Sequence, residues 1–130
     1  MKRSRLLGLV PVLLTILAAC GQASPSVPLG EVTAALIAGP VCPVETVPPD
    51  PNCAARPVAD REVVVLGADG REVARGRSDA EGIIRFQLPY GSYLLRAPSD
   101  DGFPIPPADE SIVVDATPLQ VELAFDTGIR

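Results

Sequence analysis

The sequence predicts an all-β domain, an antiparallel sandwich of about seven short strands. Three observations predict it. Apolar and polar residues alternate with period two, as where Ile84, Phe86 and Leu88 are separated by Arg85 and Gln87. Turn-forming clusters punctuate these segments, among them Asp69-Gly70, Asp79-Ala80-Glu81-Gly82 and Pro89-Tyr90-Gly91. The 15 prolines of the chain gather between the segments, where a missing N–H breaks no ladder. No segment after Cys20 keeps a helical period.

Each element has its own warrant. Val32 to Ala38 reads as a first strand that Gly39-Pro40 ends. Its Ala and Leu content favours a helix, but the run is too short for one. Glu62 to Leu66 holds three consecutive valines, and Glu72 to Arg77 returns across the Asp69-Gly70 turn. Ile84 to Leu88 follows. Tyr93 and Leu95 then alternate with Ser92, Leu94 and Arg96, and Ile112 to Asp115 is short. Leu119, Val121, Leu123 and Phe125 alternate with Gln120, Glu122 and Asp126 in the clearest amphipathic strand. The first set is expected inside, meeting Ile84, Phe86 and Leu88 or their neighbours across the sandwich, because a one-residue slip would expose every apolar side chain.

The N-terminus has a different character. Lys2, Arg3 and Arg5 precede an apolar run from Leu6 to Leu17, and Ala18-Ala19 stand directly before Cys20. This layout is that of a secretory signal. With a cysteine at the cleavage point it resembles a bacterial lipoprotein signal peptide. The apolar run is shorter than the roughly 20 residues that span a bilayer. The resemblance implies that residues 1–19 are removed and that the Cys20 thiol carries a lipid, which is then the membrane partner. It also explains an odd cysteine count, since Cys20, Cys42 and Cys53 are the only three. Residues 20–30, with Ser24-Pro25-Ser26 and Pro28, read as the lipidated cysteine and a tether. Residues 31–130 read as one domain, too short for two.

Composition excludes several chemistries. The formal charge is −5; without Lys2, Arg3 and Arg5, eight basic and sixteen acidic side chains leave −8. An acidic surface disfavours nucleic acid. The chain has no histidine, and Lys2 is its only lysine. Ser-His-Asp or Cys-His catalysis, histidine-ligated metal and a lysine Schiff base are therefore all excluded from the expected mature chain.

The run Ser78-Asp79-Ala80-Glu81-Gly82-Ile83-Ile84-Arg85-Phe86, then Leu88-Pro89-Tyr90-Gly91-Ser92-Tyr93-Leu94-Leu95, resembles the central signature of carboxypeptidase regulatory-like domains. Pro57-Val58, Val63-Val64-Val65 and Asp69-Gly70-Arg71-Glu72-Val73 resemble its upstream hairpin. The resemblance implies a transthyretin-like sandwich of about seven strands in Greek-key order. It covers Arg56 to Leu95 well and the last strand loosely. Within it, Asp79 is expected to accept N–H bonds in its own turn, and the Tyr93 hydroxyl to find a partner. The sequence departs from the family at Arg61, where a small inward residue is usual. Either the strand starts after Arg61 or its head reaches solvent at an edge.

Cys42 and Cys53 bound a proline-rich segment with few apolar anchors. In an oxidising compartment they are expected to form a disulfide. A two-thiolate metal site would lack further ligands, so no metal or other cofactor is expected. Asp100-Asp101 and Asp109-Glu110 flank Gly102-Phe103-Pro104-Ile105-Pro106-Pro107; their spacing matches no calcium loop. Phe103 and Ile105 are candidate partner-contact residues, because a proline-bound loop has little freedom to bury both. Paired carboxylates for glycoside hydrolysis are not evident.

These readings converge on a non-enzymatic lipoprotein of the bacterial cell envelope, its domain on the extracytoplasmic side, acting as a binding or structural accessory module. Its expected partner is an envelope protein or a glycan. A carbohydrate-binding module is the alternative, with Tyr90 and Phe103 the aromatics free to stack. A transthyretin-fold hydrolase would require histidines, and an isopeptide-closed pilin-like stalk would require a lysine.

Overall fold

The computed structural model describes residue 21 and residues 24–99 and 102–130. The expected signal peptide, Cys20 and the Asp100-Asp101 pair lie outside the described residues. Among the described residues, eight strands form two four-stranded sheets. They are β1 (Leu29–Gly39), β2 (Arg56–Pro57), β3 (Glu62–Leu66), β4 (Glu72–Arg77), β5 (Ile83–Pro89), β6 (Gly91–Arg96), β7 (Glu110–Val114) and β8 (Leu119–Asp126). No helix among the described residues is long and apolar enough to cross a membrane.

The first sheet is built on β1. One edge of β1 pairs antiparallel with β5, from Leu29↔Pro89 to Ala35↔Ile83, and further on with β2 at Ile37↔Pro57 and Ala38↔Arg56. The other edge pairs with β8 from Val32↔Leu119 to Gly39↔Asp126. The second sheet has the order β4-β3-β6-β7, antiparallel throughout. Between the sheets lie Val32, Ala34 and Leu36 of β1, Val63 and Val65 of β3, and Ile84, Phe86 and Leu88 of β5. Leu95, Ile112, Val114, Leu123 and Phe125 complete this core. The inward set of β8 is as its alternation predicts, with Leu123 and Phe125 buried and Leu119 and Val121 half-buried, while Gln120 and Glu122 are exposed.

Four expectations need correction. Ile84, Phe86 and Leu88 do not meet the β8 set across the sandwich: β5 and β8 flank β1 in one sheet, so both sets face the second sheet side by side. The sandwich is not wholly antiparallel, because β1 and β8 are parallel. The reason is directional. β7 runs back to the pole where β1 begins, as its pairing of Val114 with Gly91 at the start of β6 requires. Residues 115–118 then cross to the first sheet, so β8 leaves that pole in the same direction as β1. The described residues form eight strands where about seven were expected. The extra one, β2, is two residues long, and Pro57 and Pro89 stand at strand ends, where proline is tolerated. Finally, the sheet begins at Leu29, not after residue 30. Gly30 hid this. A Cβ there would stand 2.4 Å from the Asp115 carbonyl oxygen, so glycine lets the β7–β8 connection lie against the strand.

The quoted turn residues act locally as expected. Asp79 Oδ1 accepts from the N–H groups of Glu81 at 3.0 Å and Ile83 at 2.8 Å. The Tyr93 hydroxyl donates to the Pro89 carbonyl at 2.7 Å. Gly82 has φ +76°, and a Cβ on it would meet the Leu36 carbonyl oxygen at 2.5 Å. Ser78 does more than its place in the turn indicated. Its hydroxyl donates to the Val58 carbonyl at 2.6 Å and accepts from the Arg61 N–H at 2.9 Å, holding β2 to the start of β3.

Candidate functional site at the pole opposite the tether

The 11 residues of β1 separate two poles by roughly 35 Å. At one pole the chain enters at Leu29, beside the β5–β6 turn and the β7–β8 connection. At the other, β1 ends in Gly39-Pro40. Here the chain also places the Cys42–Cys53 loop, the 102–107 loop and the tail after β8.

The cysteines are bonded, with Cα atoms 5.2 Å apart. Between them the chain exposes Val44 and Val47, the latter 99% exposed. Asp50 caps the 3-10 turn Pro51–Cys53 through the Asn52 N–H at 2.8 Å. A closed loop stiffened by Pro48, Pro49 and Pro51 therefore presents apolar side chains that have no core to enter.

The 102–107 loop is pinned on both sides. Nη2 of Arg61 donates to the Gly102 carbonyl at 2.8 Å and to the Pro104 carbonyl at 3.0 Å. Ile105 exchanges two backbone bonds with Asp126, each 2.9 Å. This leaves Phe103 68% and Ile105 55% exposed on a held backbone. β3 does start after Arg61, but the Arg61 head is not at the solvent: the residue is 5% exposed. The loop it pins covers it.

The tail closes the pole. Thr127 donates its N–H to the Gly39 carbonyl at 3.3 Å and its hydroxyl to the Pro40 carbonyl. The Asp126 carboxylate accepts from Arg130 at 2.9 Å and from the Gly128 N–H at 2.7 Å. Those partners, Arg130 first, lower its pKa to about 2. Between loop and tail runs a groove of about 360 Å³, lined by Ala38, Val41, Arg56, Phe103, Thr127 and Ile129. Arg56 forms no ion pair with a described residue. The groove thus offers an apolar floor and one cationic rim. No group of three or more histidine, cysteine or acidic residues among the described residues is placed to hold a metal ion.

Of the residues singled out in the sequence, Phe103, Cys42 and Cys53 meet at this pole, while Tyr90 does not. Tyr90 is exposed in the β5–β6 turn beside Leu29, and the length of β1 sets it roughly 35 Å from the pole of Phe103. The two aromatics cannot form one stacking platform. Sequence reasoning missed Val41, Arg56 and Ile129. The disulfide, the β1–β2 pairing of Ala38 with Arg56 and the parallel β1–β8 pair bring them together, and no local pattern marks them.

No protein-family model matches the chain, and no curated protein sequence matches it. Solved structures do. GBS52, the minor pilin of the gram-positive pathogen Streptococcus agalactiae, superposes with a TM-score of 0.58 at 16% identity, over 78% of this chain and 45% of that one. The shaft pilin SpaA of Lactobacillus rhamnosus GG gives 0.56 at 11% identity, over 76% and 51%. The Bacillus anthracis TIE protein gives 0.51 at 19% identity, over 75% and 17%. The likeness is one of fold. This chain spans about half or less of each of these structures.

Proposed function

We propose that the chain is a lipid-anchored accessory module of the bacterial cell envelope, carboxypeptidase regulatory-like in type, that acts by binding. Acylated Cys20 holds the first pole near the membrane, and the opposite pole meets an envelope protein. The observation that carries this reading is the polarity of β1. The tether enters at one end, and the exposed apolar loops and the Arg56-rimmed groove stand at the other. The disulfide supports an oxidising, extracytoplasmic location. The pilin domains that share the fold are consistent with a surface module. The lack of histidine, and of any lysine after Lys2, favours binding over catalysis. The acidic charge disfavours nucleic acid as a partner. The distance between Tyr90 and Phe103 weighs against the carbohydrate-binding alternative.

Detergent phase partitioning tests the anchor. The wild-type protein is expected in the detergent phase and Cys20→Ser in the aqueous phase or unprocessed. Equal partitioning overturns the lipoprotein reading. A glycan array on the same protein tests the choice of partner, with saturable glycan binding favouring the alternative.

A further inference from the structure

The outer edge of β8 is an open strand edge. Gly39 accepts from the Thr127 N–H, so the odd-numbered residues of β8 direct their backbone groups to β1. The even-numbered ones point outward, as the Asp126–Ile105 bridge confirms. Gln120, Glu122 and Ala124 therefore aim N–H and C=O groups away from the sheet, and no described residue pairs with them. Each of the three residues is exposed. The other edge of this sheet is better guarded. There only Arg85 and Gln87 of β5 are left outward between the Asp79–Ile83 turn bonds and Pro89.

The protein's own chain starts to cover the β8 edge and stops. Ile105 opens an antiparallel ladder on Asp126, and Pro106-Pro107 end it, since neither can donate to a ladder. The inner face beside this edge is also incomplete. Leu119 and Val121 there are only half-buried against the core. Glu122 is the one charged side chain among the three outward-pointing positions and makes no ion pair with a described residue.

We propose that β8 is a docking edge for an extended segment of another protein, added antiparallel as a further strand of the first sheet. The unpaired backbone groups would hold it by main-chain bonds. Its side chains opposite Val121 and Leu123 face inward and are apolar. The one opposite Glu122 faces outward and is basic. The pattern recognised is apolar–basic–apolar. A second copy of this chain fits poorly. The antiparallel register that pairs all three positions sets Glu122 against Glu122.

The probe is the peptide Val-Thr-Val-Arg-Val-Thr-Val, added to the full chain in detergent, with amide hydrogen exchange read by NMR. Saturating peptide is expected to slow exchange at Gln120, Glu122 and Ala124 at least tenfold. The peptide N-methylated at Arg and both Thr should not bind. Glu122→Arg should weaken binding at least tenfold and restore it to the peptide carrying Glu in place of Arg. Glu122→Pro removes the outward N–H together with the carboxylate and no bond to β1, so it should abolish binding and leave the thermal melt in place. Unchanged exchange with up to millimolar peptide, equal binding of the N-methylated peptide, or indifference to Glu122→Arg would overturn the proposal. Concentration-dependent dimerisation that protects the same three amides would overturn it in favour of self-association. All of these readouts are independent of lipid at Cys20.

Discussion

The guanidinium carbon of Arg61 lies 5.2 Å from the centre of the Phe125 ring. The contact joins the start of β3 to the end of β8 across the two sheets. The same side chain holds the Gly102 and Pro104 carbonyls. A cation on an aromatic face adds attraction that grows as water is excluded. Arg61 thus ties the loop bearing Phe103 to the core.

Removing that tie should loosen the pole selectively. Arg61→Ala leaves two carbonyls short of a donor and a void over Phe125, at a cost of about 2–4 kcal/mol. Arg61→Lys keeps the charge but not the planar fork and should recover only part of the loss. Urea melts give the magnitude, and limited proteolysis near Gly102 reports the loop. A loop that stays protected in Arg61→Ala would show that other contacts hold it.

The β8 alternation makes a sharper comparison. Phe125 and Phe86 are buried between the sheets, and Glu122 is exposed. Phe125→Ala or Phe86→Ala should cost about 3–5 kcal/mol, as truncation of a buried aromatic does. Glu122→Ala should cost under about 0.5 kcal/mol. Equal losses in urea melts would contradict the face assignment.

Reduction of Cys42–Cys53 should act on one pole. Intact mass should rise by two hydrogens on reduction, and no thiol from this pair should alkylate beforehand. Closing a loop of this size is worth about 3 kcal/mol in the chain-entropy model. That contribution lies outside the sandwich core, so the strands should persist while residues 40–55 exchange faster. Collapse of the whole β signal in circular dichroism would show that the core depends on the loop.

Asp126 gives a pH signature with a definite sign. Arg130 and the Gly128 N–H favour its ionised form and hold its folded pKa at about 2, against an unfolded value of about 3.9. Its contribution is therefore complete above about pH 4 and is lost as the pH falls toward 2. The tail at 127–130 should release from Pro40 and Gly39 in that window. Carboxyl titration by NMR should place the Asp126 midpoint well below that of an unpaired aspartate, and Asp126→Asn should flatten this acid limb. An ordinary midpoint would mean that the Arg130 pair does not form in solution.

Period two is a local property of the chain, so the β class, seven of the eight described strands and the inward faces of β5 and β8 were legible in the sequence. The cysteine pair was legible by a different route, from a proline-rich loop without apolar anchors in an expected oxidising compartment. The Asp79 turn and the Tyr93 hydroxyl were legible because their partners lie within four residues. Tertiary structure alone decided the rest. Strand direction depends on how often the chain crosses between sheets, so the parallel β1–β8 pair left no local trace. Gly30 reads as tether until the Asp115 carbonyl is seen beside it. Arg61 reads as an edge residue until the 102–104 loop folds over it. Val41, Arg56, Phe103 and Ile129 become one groove only when four distant segments meet, since contacts across a sandwich are set by packing that no short window of sequence contains.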